Sequence, residues 1–402
     1  MAEYSNLTAV YSIASYGEMI ADRARVDAYA RALRQAIRPG SVVVDIGTGV
    51  GFFAVLACKL GARRVYAIEP DGSIELARAI AATNGCADRI EFIQQMSTEV
   101  ALPERADVIV SDLRGILPLF QRHIPSIVDA RRRLLAPGGQ LIPARDTLWA
   151  AVVEDPEGYQ RRSNPWNAHP FEIDMSAGQR LVTNTWIKRR AKPEQLLVEP
   201  RAWGTLDYAN VVEPDLRGDI EWTVDRVGTG HGLLVWFDAV LADGARFSNA
   251  PGEPDLVYGS AFFPWTKPVA LEAGDRVSVS LSADLVGADY VWRWNARILA
   301  GDQPRSAKAD FRQSSFFGVP WSRARLARQR SDHVPTLDED GRIDRLMLSL
   351  MDGEHSLAQI ADEAMKQFPR RFAEAREALT RASRLSLTYG RRPSNGTIRP
   401  GE

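Results

Sequence analysis

The sequence predicts an α/β protein: a Rossmann-like domain, then an all-β domain, then a small C-terminal helical unit. Three observations carry this. Short apolar runs alternate with helical periods over the first third. β-branched and aromatic residues dominate from about Leu148 to Leu299. Two amphipathic helical patterns close the chain after Pro335. Alternation of buried strands with helices implies a parallel sheet covered on both faces, and 402 residues exceed one ordinary core.

In the first part, Met19, Val26, Tyr29, Ala30, Leu33 and Ile37 recur at helical spacing up to Pro39-Gly40. Val42–Val44 reads as a strand, Phe52–Leu60 as a helix, Val65–Ile68 as a strand and Ile74–Thr83 as a helix. Ile90–Ile93 and Val108–Val110 are further strands, Leu119–Leu135 a helix, and Pro137-Gly138-Gly139 a turn before Gln140–Ile142. Beyond 147, Leu233–Phe237, Ser278–Leu281 and Tyr290–Ala296 read as strands between turns at Gly228–Gly230, Asp243-Gly244 and Ala273–Asp275. The polar, proline-punctuated stretch 156–200 reads as an insertion. Leu357, Ile360, Ala361, Ala364, Met365 and Phe368 trace one helix behind Ser356, and Phe372, Ala375, Leu379, Ala382 and Leu385 trace another. The expected domains are 1–147, 148–325 and 332–390, followed by a polar tail from Arg391.

Composition excludes several functions. Fifty Lys+Arg against 51 Asp+Glu give a net charge of −1, so no whole-molecule attraction to nucleic acid or anionic membrane is indicated. Cys58 and Cys86 have neither metal-ligand nor CxxC spacing, which points to free thiols in a reducing cytoplasm. The five histidines show no metal spacing, so no metal is expected. The Met1–Ser5 start lacks a basic stretch leading into an apolar run, so no signal peptide is read there.

The chemistry concentrates where the first strand feeds a helix, at Val44-Asp45-Ile46-Gly47-Thr48-Gly49-Val50-Gly51. Glycines there permit a sharp turn and let a ligand lie against bare main chain. The dinucleotide fingerprint GxGxxG is not met, because its last position is Phe52. GxGxG preceded by Asp45 and followed by Glu69, at the end of the next strand, suits a nucleoside cofactor without a pyrophosphate. Glu69 is placed to accept both ribose hydroxyls. This combination indicates a class I methyltransferase domain that binds S-adenosyl-L-methionine and releases S-adenosyl-L-homocysteine.

On these residues the chain resembles the protein arginine methyltransferase family over about residues 10–300. Val42–Gly51 resembles its cofactor motif, Val65–Glu69 the stretch that follows, Ile90–Glu99 the next strand and loop, and Leu135–Gly139 its later turn. The resemblance implies an N-terminal helix folded over the cofactor, carrying Tyr11, Tyr16, Met19, Asp22 and Arg25, with Arg25 meeting the cofactor's carboxylate. It places Met96, Ser97 and Thr98 beside the adenine, and it implies a β-barrel and a homodimer. The family holds a guanidinium between two glutamates. Here those positions are Asp112 and Gln121, in Ser111-Asp112-Leu113-Arg114-Gly115-Ile116-Leu117-Pro118-Leu119-Phe120-Gln121. Its Thr-His-Trp loop is aligned with Phe263-Pro264-Trp265. A guanidinium in a dry pocket needs compensating carboxylates; one Asp and one Gln supply about half, and Arg114 pointing inward would repel it.

Asp112 and Gln121 are therefore the candidate catalytic pair, with Tyr11, Arg114 and Trp265 lining the substrate pocket and His123 the nearest histidine. The Arg131–Arg133 and Arg189-Arg190 clusters read as solvated faces. Residues 335–385 resemble the peptide-binding winged-helix module of pyrroloquinoline quinone maturation, through Leu337–Gly341, Met351–Gly353, Ser356–Ala361 and Phe368-Pro369. Residues 331–402 carry 11 Lys+Arg and 12 Asp+Glu, which leaves no basic footprint for DNA; a domain that only packs or dimerises stays open. The expected activity is methylation of a peptide or protein nitrogen, amine or guanidine, with a ribosomally made precursor peptide as one substrate. The alternatives are a free amino acid or small amine, such as free arginine, and a non-catalytic partner subunit.

Overall fold

The computed structural model describes residues 11–301 and 307–391; the Met1–Ser5 start and the tail after Arg391 lie outside them. The chain divides into compact units at 1–320 and 321–402.

Unit 1 opens with α1 (Ile13–Ala21) and α2 (Arg23–Ala36), where sequence periodicity suggested one helix. Asp22 causes the break: its backbone is non-helical and its carboxylate caps Arg25 N at 3.2 Å. Then follow β1 (Val42–Ile46), α3 (Phe52–Lys59), β2 (Arg64–Ile68), α4 (Ile74–Thr83), β3 (Ile90–Ile93), β4 (Ala106–Ser111), α5 (His123–Arg133) and β5 (Leu135–Ile142). The strands form one parallel sheet in the order β3-β2-β1-β4-β5. All five residues of β1 are buried, as a central parallel strand requires. Helix α5 starts four residues later than expected, because Gln121 stands in the left-handed region at φ 43°. The Pro137–Gly139 turn is instead an irregularity inside β5, where the register against β4 shifts and Gly138 has φ 76°.

The second half is antiparallel. β6 (Arg145–Val153), β7 (Ile187–Arg189), β8 (Arg201–Asp207), β10 (Gly228–Ala242), β11 (Ala245–Ser248) and β12 (Ser260–Leu271) make a sheet ordered β7-β12-β10-β6-β8, with β11 on β10. β9 (Leu216–Thr223), β13 (Arg276–Val286), β14 (Asp289–Leu299) and β15 (Ala307–Phe311) make the other, ordered β15-β14-β13-β9. Aromatics weld the sheets: Phe263 of β12 lies 5.2 and 5.1 Å from Trp292 and Trp294 of β14, centroid to centroid. The insertion between β6 and β8 holds α6 (Pro156–Asn167), α7 (Ala177–Thr183) and β7. One hydrophobic core runs from the parallel sheet into the barrel, with Tyr29 of α2 against both Phe53 and Phe247.

Unit 2 contains α8 (Arg323–Arg328), α9 (Glu339–Ser349), α10 (Leu357–Gln367) and α11 (Ala375–Tyr389). Ile343, Met347, Ile360, Ala364, Ala378 and Ala382 form its own small core. Among its described residues there is no strand, so the wing of the resembled module is not present there. Among the described residues no helix is long and apolar enough to cross a membrane.

Candidate active site

A cavity of about 490 Å³ opens at the carboxyl ends of β1, β2 and β4, where open α/β sheets place ligands. Its floor is the β1–α3 loop. Gly47, Gly49 and Gly51 all have positive φ (71°, 53° and 83°), which side-chain-bearing residues rarely adopt. At Gly49 the space is closed as well, since a Cβ would stand 2.5 Å from Tyr16 Cε1. Gly51 instead packs on Ala77 at the head of α3 and is off the cavity wall. Glu69 Oε2 accepts Gly49 N and Oε1 accepts Asp71 N, each at 3.0 Å. Burial raises its pKa, and those two N–H groups oppose the rise. Each oxygen keeps a lone pair for a ribose hydroxyl. Asp45 is behind the loop and accepts Thr48 Oγ1–H at 2.6 Å. Burial pushes it up to about 7, against the Thr48 bond and an Ala54 N–H.

Tyr11, Tyr16 and Met19 of the N-terminal segment cover this floor, and Met96 and Ser97 close the far side. Thr98 is exposed in a short 3-10 turn and does not line the cavity, contrary to the sequence expectation. Bare glycine backbone, Glu69 and a partly apolar wall at Ile68 and Met96 fit an adenosyl cofactor. Among the described residues no group of three or more His, Cys, Asp or Glu could hold a metal ion.

The other end is built around Asp112, at the tip of β4. Its Oδ2 accepts Arg25 Nε and Tyr258 OH, both at 2.6 Å, and its Oδ1 accepts Arg114 Nη1 at 3.1 Å. Burial alone would raise the Asp112 pKa; Arg25 and Arg114 outweigh it and hold the carboxyl below its ordinary range. Arg25 also donates to Met19 O at 3.0 Å, and no described residue takes its Nη2, which stays free for a carboxylate. Arg114 is not the repelling charge the sequence suggested. It is fully buried and forks onto Asp146 at 2.7 and 2.8 Å, and its Nη1 also donates to Tyr29 OH at 2.6 Å. Tyr208 OH donates to the same Asp146 at 2.6 Å.

Trp265 does not line the pocket. It is 0% exposed inside β12, and its neighbours Phe263 and Pro264 lie in the same strand. The barrel reaches the cavity instead through Val257 and Tyr258, just before β12, and Val257 N donates to the Asp22 cap at 2.8 Å. Gln121 and His123 both line the cavity. The arginine clusters are solvated only in part: Arg132 and Arg190 are exposed, whereas Arg131 donates to Tyr208 O and Val211 O, Arg133 to Ser97 O and Val100 O, and Arg189 to Asp155. Tyr258, Asp146 and Lys188, which also faces the cavity, carry no sequence signal; each is one polar residue in a β-rich stretch.

Residues 29–143 match the family profile described as ribosomal protein L11 methyltransferase (PrmA), and residues 144–287 match the arginine methyltransferase oligomerization subdomain. The chain is 33% identical over 254 residues to probable protein arginine N-methyltransferase 6 of Arabidopsis thaliana, covering 61% of this chain and 58% of that one. It is 29% identical over 322 residues to protein arginine N-methyltransferase PRMT10 of Oryza sativa subsp. japonica, covering 70% and 83%. Both halves of the chain are thus similar to methyltransferases, and the curated relatives it matches are described as protein arginine methyltransferases. The bare glycine backbone and the Glu69 carboxylate of the floor suit the adenosyl and ribose parts of S-adenosylmethionine. The fold agrees: Arabidopsis thaliana protein arginine methyltransferase 10 superposes with a TM-score of 0.69 at 22% identity, covering 75% of this chain and 97% of that one. The Trypanosoma brucei PRMT1 enzyme–prozyme complex with AdoHcy gives 0.67 at 22%, covering 74% and 97%. The chain spans just over half the length of the Arabidopsis relative. Where the resemblance implied two glutamates, the structure has Asp112 tied to two arginines, and a neutral Gln121.

Proposed function

We propose that this chain transfers a methyl group from S-adenosylmethionine to a nitrogen of a peptide or protein. The observation that carries the reading is one cavity joining the Gly47–Gly49 and Glu69 floor to the Asp112–Gln121 loop under a barrel wall at Tyr258. A cofactor seated on that floor with its carboxylate on Arg25 presents its methyl towards Asp112 and Gln121. The reaction is an in-line displacement, accelerated chiefly by holding a desolvated nucleophile against the methyl. Asp112, committed to Arg25, Arg114 and Tyr258, acts by fixing Arg25 and the loop rather than by taking a proton. Intact-mass analysis tests this. Full-length protein with S-adenosylmethionine should add one CH2 per transfer to peptides; measured cofactor binding without a mass gain on any peptide or amine overturns it.

The helical unit supports a peptide, including a precursor peptide, as the acceptor. Its α11 exposes Leu387 and Tyr389, 86% and 67% accessible, as grips for an extended chain. Removing residues 321–402, a separate compact unit, should abolish transfer to peptides and spare transfer to a free amino acid such as arginine. Equal rates before and after removal favour the small-amine substrate instead.

A second reading, a cofactor-binding partner subunit without catalysis, is favoured by the pairing of Asp112 with both Arg25 and Arg114. The Trypanosoma brucei relative's description as an enzyme–prozyme complex gives it a precedent.

A further inference from the structure

Among the described residues that line the cavity, the one carboxylate close in sequence to Gln121 and His123 is Asp112, and its charge is already compensated: Oδ2 accepts from Arg25 and Tyr258, and Oδ1 accepts from Arg114. Arg114 and Arg122 line the same cavity. Two polar side chains lining it remain open: among the described residues, nothing partners the Gln121 amide or His123 Nε2. His123 is 2% exposed, and its Nδ1 lies 2.8 Å from Pro118 O. A carbonyl only accepts, so Nδ1 carries the proton and Nε2 presents a lone pair. The imidazole is held in that pose by the first turn of α5 and by the Tyr208 ring, 5.4 Å away centroid to centroid. Gln121 is fixed by its left-handed backbone at the lip of the same helix. Burial first, and Arg114 second, push His123 down to about 4, so it is neutral across the working range.

We propose that the methyl acceptor is an amine that enters uncharged, its two N–H groups received by His123 Nε2 and Gln121 Oε1. The site then selects low-pKa amines, such as the α-amino group of a peptide, over lysine and arginine side chains. This deepens the methyl-transfer reading above and rests on it. With both N–H groups held, the nitrogen lone pair points away from them, towards the methyl. The N–C bond forms as the C–S bond breaks, and the C–S electron pair stays on sulfur. The resulting ammonium keeps its proton until release, then gives it to water. A cation entering a partly dry cavity is opposed by desolvation, and the Asp112 carboxylate, already paired with Arg25 and Arg114, does little to offset that cost. At pH 8 about half of α-amines are neutral against about one in 250 lysines, and arginine stays charged.

The test uses full-length protein, S-adenosylmethionine and three degenerate peptide pools at pH 8. One pool has a free N-terminus and no Lys or Arg, one is N-acetylated with a single Lys, and one is N-acetylated with a single Arg. The free N-terminus should be methylated at least about 100-fold faster than either side chain. Gln121→Glu should narrow that gap at least tenfold in favour of lysine while leaving the Kd for S-adenosylhomocysteine unchanged. His123→Phe should lower kcat on the α-amine at least tenfold with the same Kd, a split that a purely structural histidine would not give. Lysine or arginine pools modified as fast as the free N-terminus overturn this inference alone. Bound cofactor with no transfer to any pool overturns the parent reading together with it.

Discussion

Arg25 Nε and Asp112 Oδ2 stand 2.6 Å apart, although 87 residues separate them along the chain. The pair ties helix α2 to the tip of β4. The Asp112 carboxylate is thereby committed to Arg25, while Gln121 and His123 line the same cavity as open polar groups.

Asp112→Asn should lower unfolding stability by about 3 kcal/mol, because Arg25 and Arg114 lose the charge that compensates their burial. Urea unfolding measures this. The folded pKa of Asp112 lies below its unfolded value, about 3.9. Its contribution is therefore complete above about pH 4 and is lost as pH falls through the folded value. The asparagine variant should lack that acid-side loss. Unchanged stability with abolished transfer would mark Asp112 as a substrate-contacting catalytic group instead.

Arg114→Met should cost about 3–5 kcal/mol, since it strands the fully buried Asp146. Arg114→Lys should recover little of this, because an ammonium cannot make the two parallel bonds of the guanidinium fork. Combining Arg114→Met with Asp146→Leu should restore part of the melting temperature. A double variant no more stable than the single one would sink the charge-pair account.

Gly49→Ala should raise the Kd for S-adenosylhomocysteine at least tenfold. The new methyl needs a strained φ of 53° and meets Tyr16, which lines the cofactor side of the cavity. Gly40→Ala is the control: φ is 92°, but nothing lies within 4 Å of its Cβ, so it should cost stability and leave the Kd alone. Calorimetric titration of both variants separates pocket geometry from backbone strain.

His123 should make stability rise with pH between about 4 and 6.5. In that window the unfolded chain binds a proton that the folded imidazole, held at about 4, does not. The full effect is roughly 3 kcal/mol. Asp45, raised to about 7, works in the opposite direction over nearly the same range, its contribution being lost as pH rises. The decisive quantity is thus wild type minus His123→Phe. A difference that is flat from pH 4 to 7 contradicts the buried neutral imidazole.

Ser356→Ala should destabilise the helical unit by about 1 kcal/mol, because Ser356 Oγ accepts Gln359 N in a reciprocal capping box. Cofactor affinity, which belongs to the other compact unit, should not change.

Local features were legible from the sequence because their causes are local. The GxGxG loop with Glu69, the five strands of the parallel sheet, and helices such as Ile74–Thr83 follow from spacing and periodicity within a few residues. Where one polar residue overrules periodicity, the reading slipped: Asp22 splits the first helix and Gln121 delays α5. The resemblance of Phe263-Pro264-Trp265 to a Thr-His-Trp loop puts Trp265 in the pocket, but an aromatic in a strand carries no mark of which face it takes, and the register of β12 on β10 buries it.

The sequence by itself determined the fold class, the cofactor floor and the loss of the second carboxylate at Gln121. Only the tertiary structure decided the state of the first. Asp112 meets Tyr258 across 146 residues, and Arg114 meets Asp146 across the junction of sheet and barrel. Charge compensation in a dry interior depends on distances of about 3 Å between side chains, and no spacing along the chain encodes them.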